Sequence, residues 1–126
     1  MANRRIIRGD TDTFIVKITR VATDSNGLVI NTPVDITGWK IRFTVRATIP
    51  ATTDLSDSDA IISKLGVNST TDTGVCTFTI SKEETNIDVG EYYYDIQCLK
   101  PDGTVQSIPR AKYIVVADIT RDEDWT

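Results

Sequence analysis

The chain has 126 residues, a formal net charge of -4 and a pI near 4.7, with 40% hydrophobic and 25% charged residues. This length predicts a single domain over residues 1–126 with short terminal arms. The acidic balance argues against nucleic acid as a partner, because phosphate binding needs a basic face. No apolar run reaches the length of a membrane span and no secretory signal is evident, so we expect synthesis in a cytoplasm and no membrane partner.

Alternation of apolar and polar residues, the pattern of strands with one buried face, dominates the sequence. It begins at residues 13–21 and is clearest at residues 39–46, where Trp39 and the apolar residues after it alternate with lysine, arginine and threonine. Shorter runs follow at residues 60–63, 75–80, 91–99, 105–108 and 112–116. Glycine turns separate the runs, and KPDGT at residues 100–104 predicts a hairpin.

Helix signals are few. Ser81 followed by Glu84 suits one turn between two strands. Residues 47–60 have no periodicity and predict a long exposed loop. Seven or eight short strands with regular turns predict an all-β fold, an immunoglobulin-like antiparallel β-sandwich.

Three consecutive tyrosines lie in the stretch DVGEYYYDIQC. In immunoglobulin-like sandwiches, a tyrosine near the start of the sixth strand hydrogen-bonds back to the preceding corner. Asp88, Gly90, Tyr92 and Tyr94 reproduce this D-x-G-x-Y-x-core spacing, so we interpret them as a structural corner with both of these tyrosines facing inward. Tyr93 would face outward, where a partner contact and cross-strand packing both stay open.

Catalytic and metal chemistry find little support in the sequence. The chain has no histidine, and its two cysteines, Cys76 and Cys98, alternate with apolar neighbours and so predict buried free thiols. Without histidine the usual catalytic triads and zinc sites cannot be built, so we expect no enzyme activity, no cofactor and no metal centre. The carboxylates of Asp54, Asp57 and Asp59 either bind a cation such as calcium or form a solvated acidic loop.

The two ends of the chain carry opposite charge. Runs of this kind are usually solvated termini, and a docking role between copies is the alternative. A tryptophan near the end of the chain adds an apolar anchor of the type enriched at interface hot spots. The candidate partner contacts are Arg4, Arg5, Arg8, Tyr93 and Trp125.

Five stretches, RGDTDTF, VDITGWKIRFTV, GEYYYDIQ, PDGTVQ and VADITR, occur in this order along the chain. Together they resemble small immunoglobulin-like phage proteins, among them the N-terminal domains of baseplate upper proteins. The resemblance implies a phage virion structural protein, made in the host cytoplasm and located in the virion at the tail, the baseplate or the capsid surface. The implied partners are other phage virion proteins in multiple copies.

A host-surface or carbohydrate-binding module is the alternative function. A sugar-binding surface needs two or three aromatic rings on one open face. The outward candidates are Tyr93 and, near the end of the chain, Trp125. The alternative therefore rests on few residues.

Overall fold

The computed structural model describes residues 3–47 and 60–118. The regular structure of these residues consists of β-strands, and no helix among them could span a membrane. The strands are β1 (Arg4–Ile7), β2 (Asp12–Lys17), β3 (Thr19–Thr23), β4 (Val29–Pro33), β5 (Lys40–Arg46), β6 (Ile62–Leu65), β7 (Val67–Asn68), β8 (Val75–Ile80), β9 (Gly90–Leu99) and β10 (Val105–Val116).

The strands of the described residues form two facing sheets and one ribbon. The larger sheet has the order β1-β10-β9-β5-β6, the smaller has the order β2-β8-β7, and β3 pairs with β4. The pairs are antiparallel except for β1 with β10, which run parallel. The predicted all-β sandwich is confirmed, and the described residues form ten strands rather than the seven or eight expected. The runs predicted at residues 105–108 and 112–116 are parts of one long strand, β10. Its immunoglobulin-like topology stays a prediction.

One predicted strand is divided in two. β2 pairs with β8 as far as Lys17, and the chain leaves that sheet at Ile18. The Ile18 amide donates to the Gly74 carbonyl at 2.7 Å, and the Ile18 carbonyl accepts from the Val34 amide at 2.9 Å. These bonds direct the chain away from β8, so β3 and β4 form a separate ribbon that lies outside both sheets.

The core between the sheets is a cluster of aromatic rings around Phe43. The centroid of this ring lies 5.2 Å from Phe14, 5.9 Å from Phe78, 5.3 Å from Tyr94 and 5.6 Å from Tyr113. The rings come from both sheets, at positions that the apolar alternation places inward. Edge-on and tilted contacts of this kind add to the stabilisation from buried apolar area.

A buried carboxylate links the two sheets. Asp12 at the start of β2 is 8% exposed and accepts hydrogen bonds from the Arg4 guanidinium on β1 and, at 3.1 Å, from the Tyr113 hydroxyl on β10. The guanidinium carbon also lies 4.0 Å from the centroid of the Phe14 ring. The first residues are therefore a strand of the larger sheet rather than only a terminal arm.

Cys76 and Cys98 are buried and unbridged, as the sequence predicts. Burial raises the pKa of Cys76 to about 11, and the charge of a Cys98 thiolate would add to this shift. Burial also raises the pKa of Cys98. Both groups therefore stay as neutral thiols near neutral pH.

The predicted turn after β8 is present without becoming a helix. The Ser81 amide donates to Glu84 Oε1 at 3.1 Å, and the Glu84 amide donates to Ser81 Oγ at 3.1 Å. This reciprocal pair is the pattern of a capping box.

Candidate functional site

The sandwich is open at one end, where the larger sheet extends beyond the smaller one. The smaller sheet ends at the pair of Lys17 with Val75, whereas β9 and β10 continue to the pair of Leu99 with Val105. The β3–β4 ribbon leaves the smaller sheet at this same end. Between the ribbon and β10 lies a groove of about 490 Å³, which we call the open-end groove.

The floor of the open-end groove is apolar. It includes Trp39, whose amide donates to the Ile36 carbonyl at 2.9 Å and whose carbonyl accepts from the Asn68 side-chain amide at 2.9 Å. These bonds fix the backbone at the start of β5 and so orient the indole. The floor residues, all partly buried against the core, are Ile18, Val34, Trp39 and Ile108.

The rim of the groove is cationic. Lys17, Arg20 and Lys100 line it, and no aspartate or glutamate is among the described residues that do so. The Lys100 ammonium lies 5.2 Å from the centroid of the Trp39 ring, within reach of a cation–π interaction. Burial raises the pKa of Cys98 below the groove, and the charge of Lys100 opposes that shift. The charge of Lys100 therefore acts on Cys98.

The carboxylate of Asp102, in the turn between β9 and β10, is hydrogen-bonded to the backbone of the same turn. Asp102 Oδ1 accepts the Thr104 amide at 2.8 Å, and this hydrogen bond is the largest cause of the lowered pKa of Asp102. Lys100 contributes to the same shift. Asp102 does not line the groove, so it offsets part of the charge of Lys100 without placing an acid at the site.

The described lining of the groove has few groups for nucleophilic or acid–base chemistry. Thr19 and Ser107 supply hydroxyl groups and Cys98 a thiol, but Cys98 is 3% exposed and its pKa is raised. The described lining offers no carboxylate or histidine that could act as a base. An apolar floor within a cationic rim is complementary to a group that is both anionic and apolar.

A second concavity, of about 360 Å³, is polar and includes Asp35, Asn68 and Asp72. Asp35 Oδ1 accepts from the hydroxyl of Thr37 at 2.6 Å and from its amide at 3.0 Å, and these bonds lower the pKa of Asp35. Asn68 Oδ1 is buried without a hydrogen-bond partner. Residues 3–47 and 60–118 contain no group of three acidic, cysteine or histidine side chains that could hold a metal.

The tyrosine corner has the geometry expected from its spacing. The Tyr92 hydroxyl donates to the Asp88 carbonyl at 2.6 Å, and Gly90 is the first residue of β9. Tyr92 and Tyr94 are buried, and burial raises the pKa of both hydroxyls. These residues therefore act in folding, at the end of the sandwich opposite the groove.

Tyr93 lies on the outer face of the larger sheet, as the alternation predicts. It is half-buried, opposite Arg46 of β5 and Lys112 of β10 in the strand register. Asp95 lies two residues after Tyr93 on β9. Burial raises the pKa of Asp95, and the charge of Arg46 opposes that shift. A partner contact at Tyr93 stays a prediction.

The three arginines proposed as partner contacts have different environments. Arg4 is engaged with Asp12 inside the fold, so its charge is used within the chain. Arg8 donates to Asn86 Oδ1 at 3.0 Å. Arg5 is exposed on the outer face of β1. Among these arginines, Arg5 has the environment that a contact with a partner would need.

Two predicted features lie outside the described residues. They are the contact at Trp125 and the cation site at Asp54, Asp57 and Asp59. Both stay predictions.

Sequence reasoning missed the open-end groove. It placed Trp39 on the inward face, which is correct, but the smaller sheet does not extend over this position. A proline within a strand pattern marks an edge or a bulge, and Pro109 lies where the register of β10 shifts between Ile108 and Ala111. This signal could have indicated an irregular, accessible end of the sheet.

No family model and no curated protein matches the chain. Among solved structures, the chain is similar to the crystal structure of CopC from Methylosinus trichosporium OB3b, with 9% sequence identity and a TM-score of 0.49. The match covers 96% of this chain and 90% of CopC. At this identity the likeness concerns the fold alone.

The comparison corrects the predicted function. The sequence predicts a phage virion structural protein, but the solved structure that the chain resembles is CopC from Methylosinus trichosporium OB3b, and the comparison gives no support for a virion role. We therefore set aside the virion function. The resemblance to baseplate upper proteins stays untested.

Proposed function

We propose that this chain is a non-catalytic protein-binding module. Its open-end groove would hold an acidic segment of a polypeptide that carries an apolar side chain. The observation that carries the proposal is the combination of the cationic rim of Lys17, Arg20 and Lys100 with the apolar floor around Trp39. Complementary charge would orient the segment, and burial of its apolar side chain against the floor would supply most of the affinity.

The edge of β10 favours a polypeptide as the ligand. β1 pairs with β10 only from Tyr113 to Val116, so residues 105–110, part of which line the groove, have an edge that none of the described strands covers. An extended peptide can hydrogen-bond to such an edge through its main chain. Pro109 has no amide to donate, so this pairing would be limited to the residues before it.

A sugar ligand is less well matched to this site. Sugar-binding surfaces use several exposed rings, whereas Trp39 is the one aromatic residue in the described lining and Lys100 already lies over it. A nucleic acid would need a broader basic surface. The groove thus fits a short acidic peptide better than either polymer.

A peptide series at constant charge tests the proposal. Acidic heptapeptides with tryptophan, leucine or serine at the centre would be titrated against the full chain, with dye-labelled peptide anisotropy as the readout. We expect tryptophan and leucine peptides to bind more tightly than the serine peptide, and binding to weaken as salt is raised. Lys100→Glu and Arg20→Glu should each weaken binding about tenfold or more, because attraction becomes repulsion.

Lys40→Glu is the matched control. Lys40 follows Trp39 in sequence but lies on the outer face of the same sheet and does not line the groove. It makes the same change of charge without altering the rim, so its effect should be small. Equal losses in Lys40→Glu and Lys100→Glu, or equal binding of the serine and tryptophan peptides, would contradict the proposed site.

A further inference from the structure

The negative charge of the chain is concentrated outside the described residues. Residues 3–47 and 60–118 contain 13 of the 14 basic residues and 12 of the 18 acidic ones. The described part therefore carries a small positive charge. The longest uninterrupted acidic run of the chain is Asp122, Glu123 and Asp124, and Trp125 follows it directly.

We infer that the segment Asp122–Thr126 of one copy of this chain docks in the open-end groove of a second copy. This inference rests on the proposed function and names the partner of that site. It makes the module self-associating. The proposal concerns where the segment binds, through the chemistry of its side chains.

The charged and apolar groups of the segment match those of the groove in number and kind. The segment has three carboxylates, and the rim has three cations, Lys17, Arg20 and Lys100. The indole of Trp125 is an apolar group of the size that would cover the exposed part of the floor. Exposed ion pairs contribute little individually, so Trp125 should be the dominant group and the association should be weak.

The position of the groove favours docking between copies over docking within one copy. The groove lies at the start of β10 and the C-terminal segment follows the end of the same strand. Ile108 and Val116 are separated by eight residues of strand, about 27 Å. The nine residues from Val116 to Trp125 reach at most about 32 Å. Docking within one copy would therefore need nearly full extension, whereas a second copy has no such constraint.

Such a contact is heterologous, because the segment and the groove are different surfaces of the same molecule. Each copy has one donor and one acceptor, so association would continue head to tail unless a ring closes. A distinctive consequence follows for variants. A copy with a defective segment still has a working groove, and a copy with a defective groove still has a working segment.

Sedimentation of the full chain tests the inference. The average mass of the wild type at low salt should rise with concentration and return toward the monomer at high salt. Trp125→Ala and Lys100→Glu should each stay monomeric under the same conditions. An equimolar mixture of these two variants should form a heterodimer that goes no further, whereas the Lys40→Glu control should associate like the wild type. Circular dichroism and thermal unfolding would establish that each variant is folded.

Three outcomes would overturn the inference. Association of Trp125→Ala equal to that of the wild type would remove the segment as the donor. A mixture that stays monomeric would remove the complementary head-to-tail contact. The third outcome is a monomeric wild type that does not bind added peptide of residues 119–126, together with a Trp125→Ala variant that does bind it. This result would place the segment in the groove of its own copy. Failure of self-association while the acidic heptapeptides still bind would leave the proposed function standing, whereas failure of both would remove it.

Discussion

The two ends of the sandwich are built from similar strands but differ in the surroundings of their polar groups. At the end where β9 begins, Asp12 joins Arg4 to Tyr113, and the Tyr92 hydroxyl bonds to the Asp88 carbonyl. We call this the closed end. Its polar groups have partners on other strands or in the preceding turn, so each contact fixes the relative position of two segments.

The open end has the opposite arrangement. Its cations lie around partly buried apolar side chains, and no carboxylate is among the described residues of the lining. The comparison predicts that stability and the proposed binding are separated along the length of the sandwich. Substitutions at the closed end should therefore change the free energy of unfolding, and substitutions at the open end should change binding with little effect on stability.

The largest effect on stability is expected for Asp12→Ala. It removes the carboxylate that accepts from Arg4 and Tyr113, and leaves a buried hydroxyl and a partly buried guanidinium without this partner. Loss of one member of a buried pair costs about 3–5 kcal/mol, and because Arg4 is 28% exposed we expect about 2–4 kcal/mol. Chemical denaturation would measure it. Arg5→Ala, next to Arg4 but exposed, is the control and should change stability by less than about 0.5 kcal/mol.

A smaller loss is expected for Tyr92→Phe. The substitution keeps the ring and removes the hydroxyl that donates to the Asp88 carbonyl. We expect a loss of about 1 kcal/mol, because the hydrogen bond between the tyrosine ring and the preceding turn is lost while water can reach the exposed Asp88. The matched control is Tyr93→Phe on the outer face, for which no comparable loss is expected. Equal denaturation midpoints for the two variants would show that the corner hydrogen bond does not stabilise the fold.

The buried thiols allow the stability of the core to be tested as a function of pH. The pKa of Cys76 is raised from its ordinary value of 9.0 to about 11 in the folded chain. Between these values the unfolded chain releases a proton that the folded chain retains, so the stability from this group is present below pH 9 and is lost as the pH rises toward 11. Denaturation across this range should show falling stability, with a shallower fall in Cys76→Ala. Alkylation of both thiols should be slow in the native state and fast in denaturant.

The closed end was more accessible to sequence reasoning than the open end. Alternation identified the inward face of β5, and the spacing from Asp88 to Tyr92 predicted a hydrogen bond that the structure contains. These signals are local, since they depend on period and on a short spacing. The Tyr113–Asp12 bond joins residues 101 positions apart. No local pattern could indicate it, and Arg4 was consequently placed among the partner contacts.

The open end depends on a property that alternation does not contain. The pattern at Trp39 gives the face of the side chain, but the exposure of the indole depends on how far the opposite sheet extends. That length is set by the departure of the chain from β2 at Ile18, where hydrogen bonds to Gly74 and Val34 replace the pairing with β8. The site is thus a consequence of where one strand ends, which the continuous apolar pattern at residues 13–21 conceals.

The smallest stability effect and the sharpest contrast between the ends are expected for Lys100→Met. This change removes the rim charge nearest Trp39 but keeps an unbranched side chain that can lie over the indole. The cation–π contact at 5.2 Å contributes about 0.5–1 kcal/mol at an exposed site, and the methionine retains part of the packing. We therefore expect a loss of stability below about 0.5 kcal/mol.

Binding of the acidic tryptophan heptapeptide should nevertheless fall and become less sensitive to salt, because one of three rim charges is gone. Lys40→Met, on the outer face, should leave both properties unchanged. If Lys100→Met lowered stability as much as Tyr92→Phe while binding stayed the same, Lys100 would be a structural residue and the division between the two ends would fail.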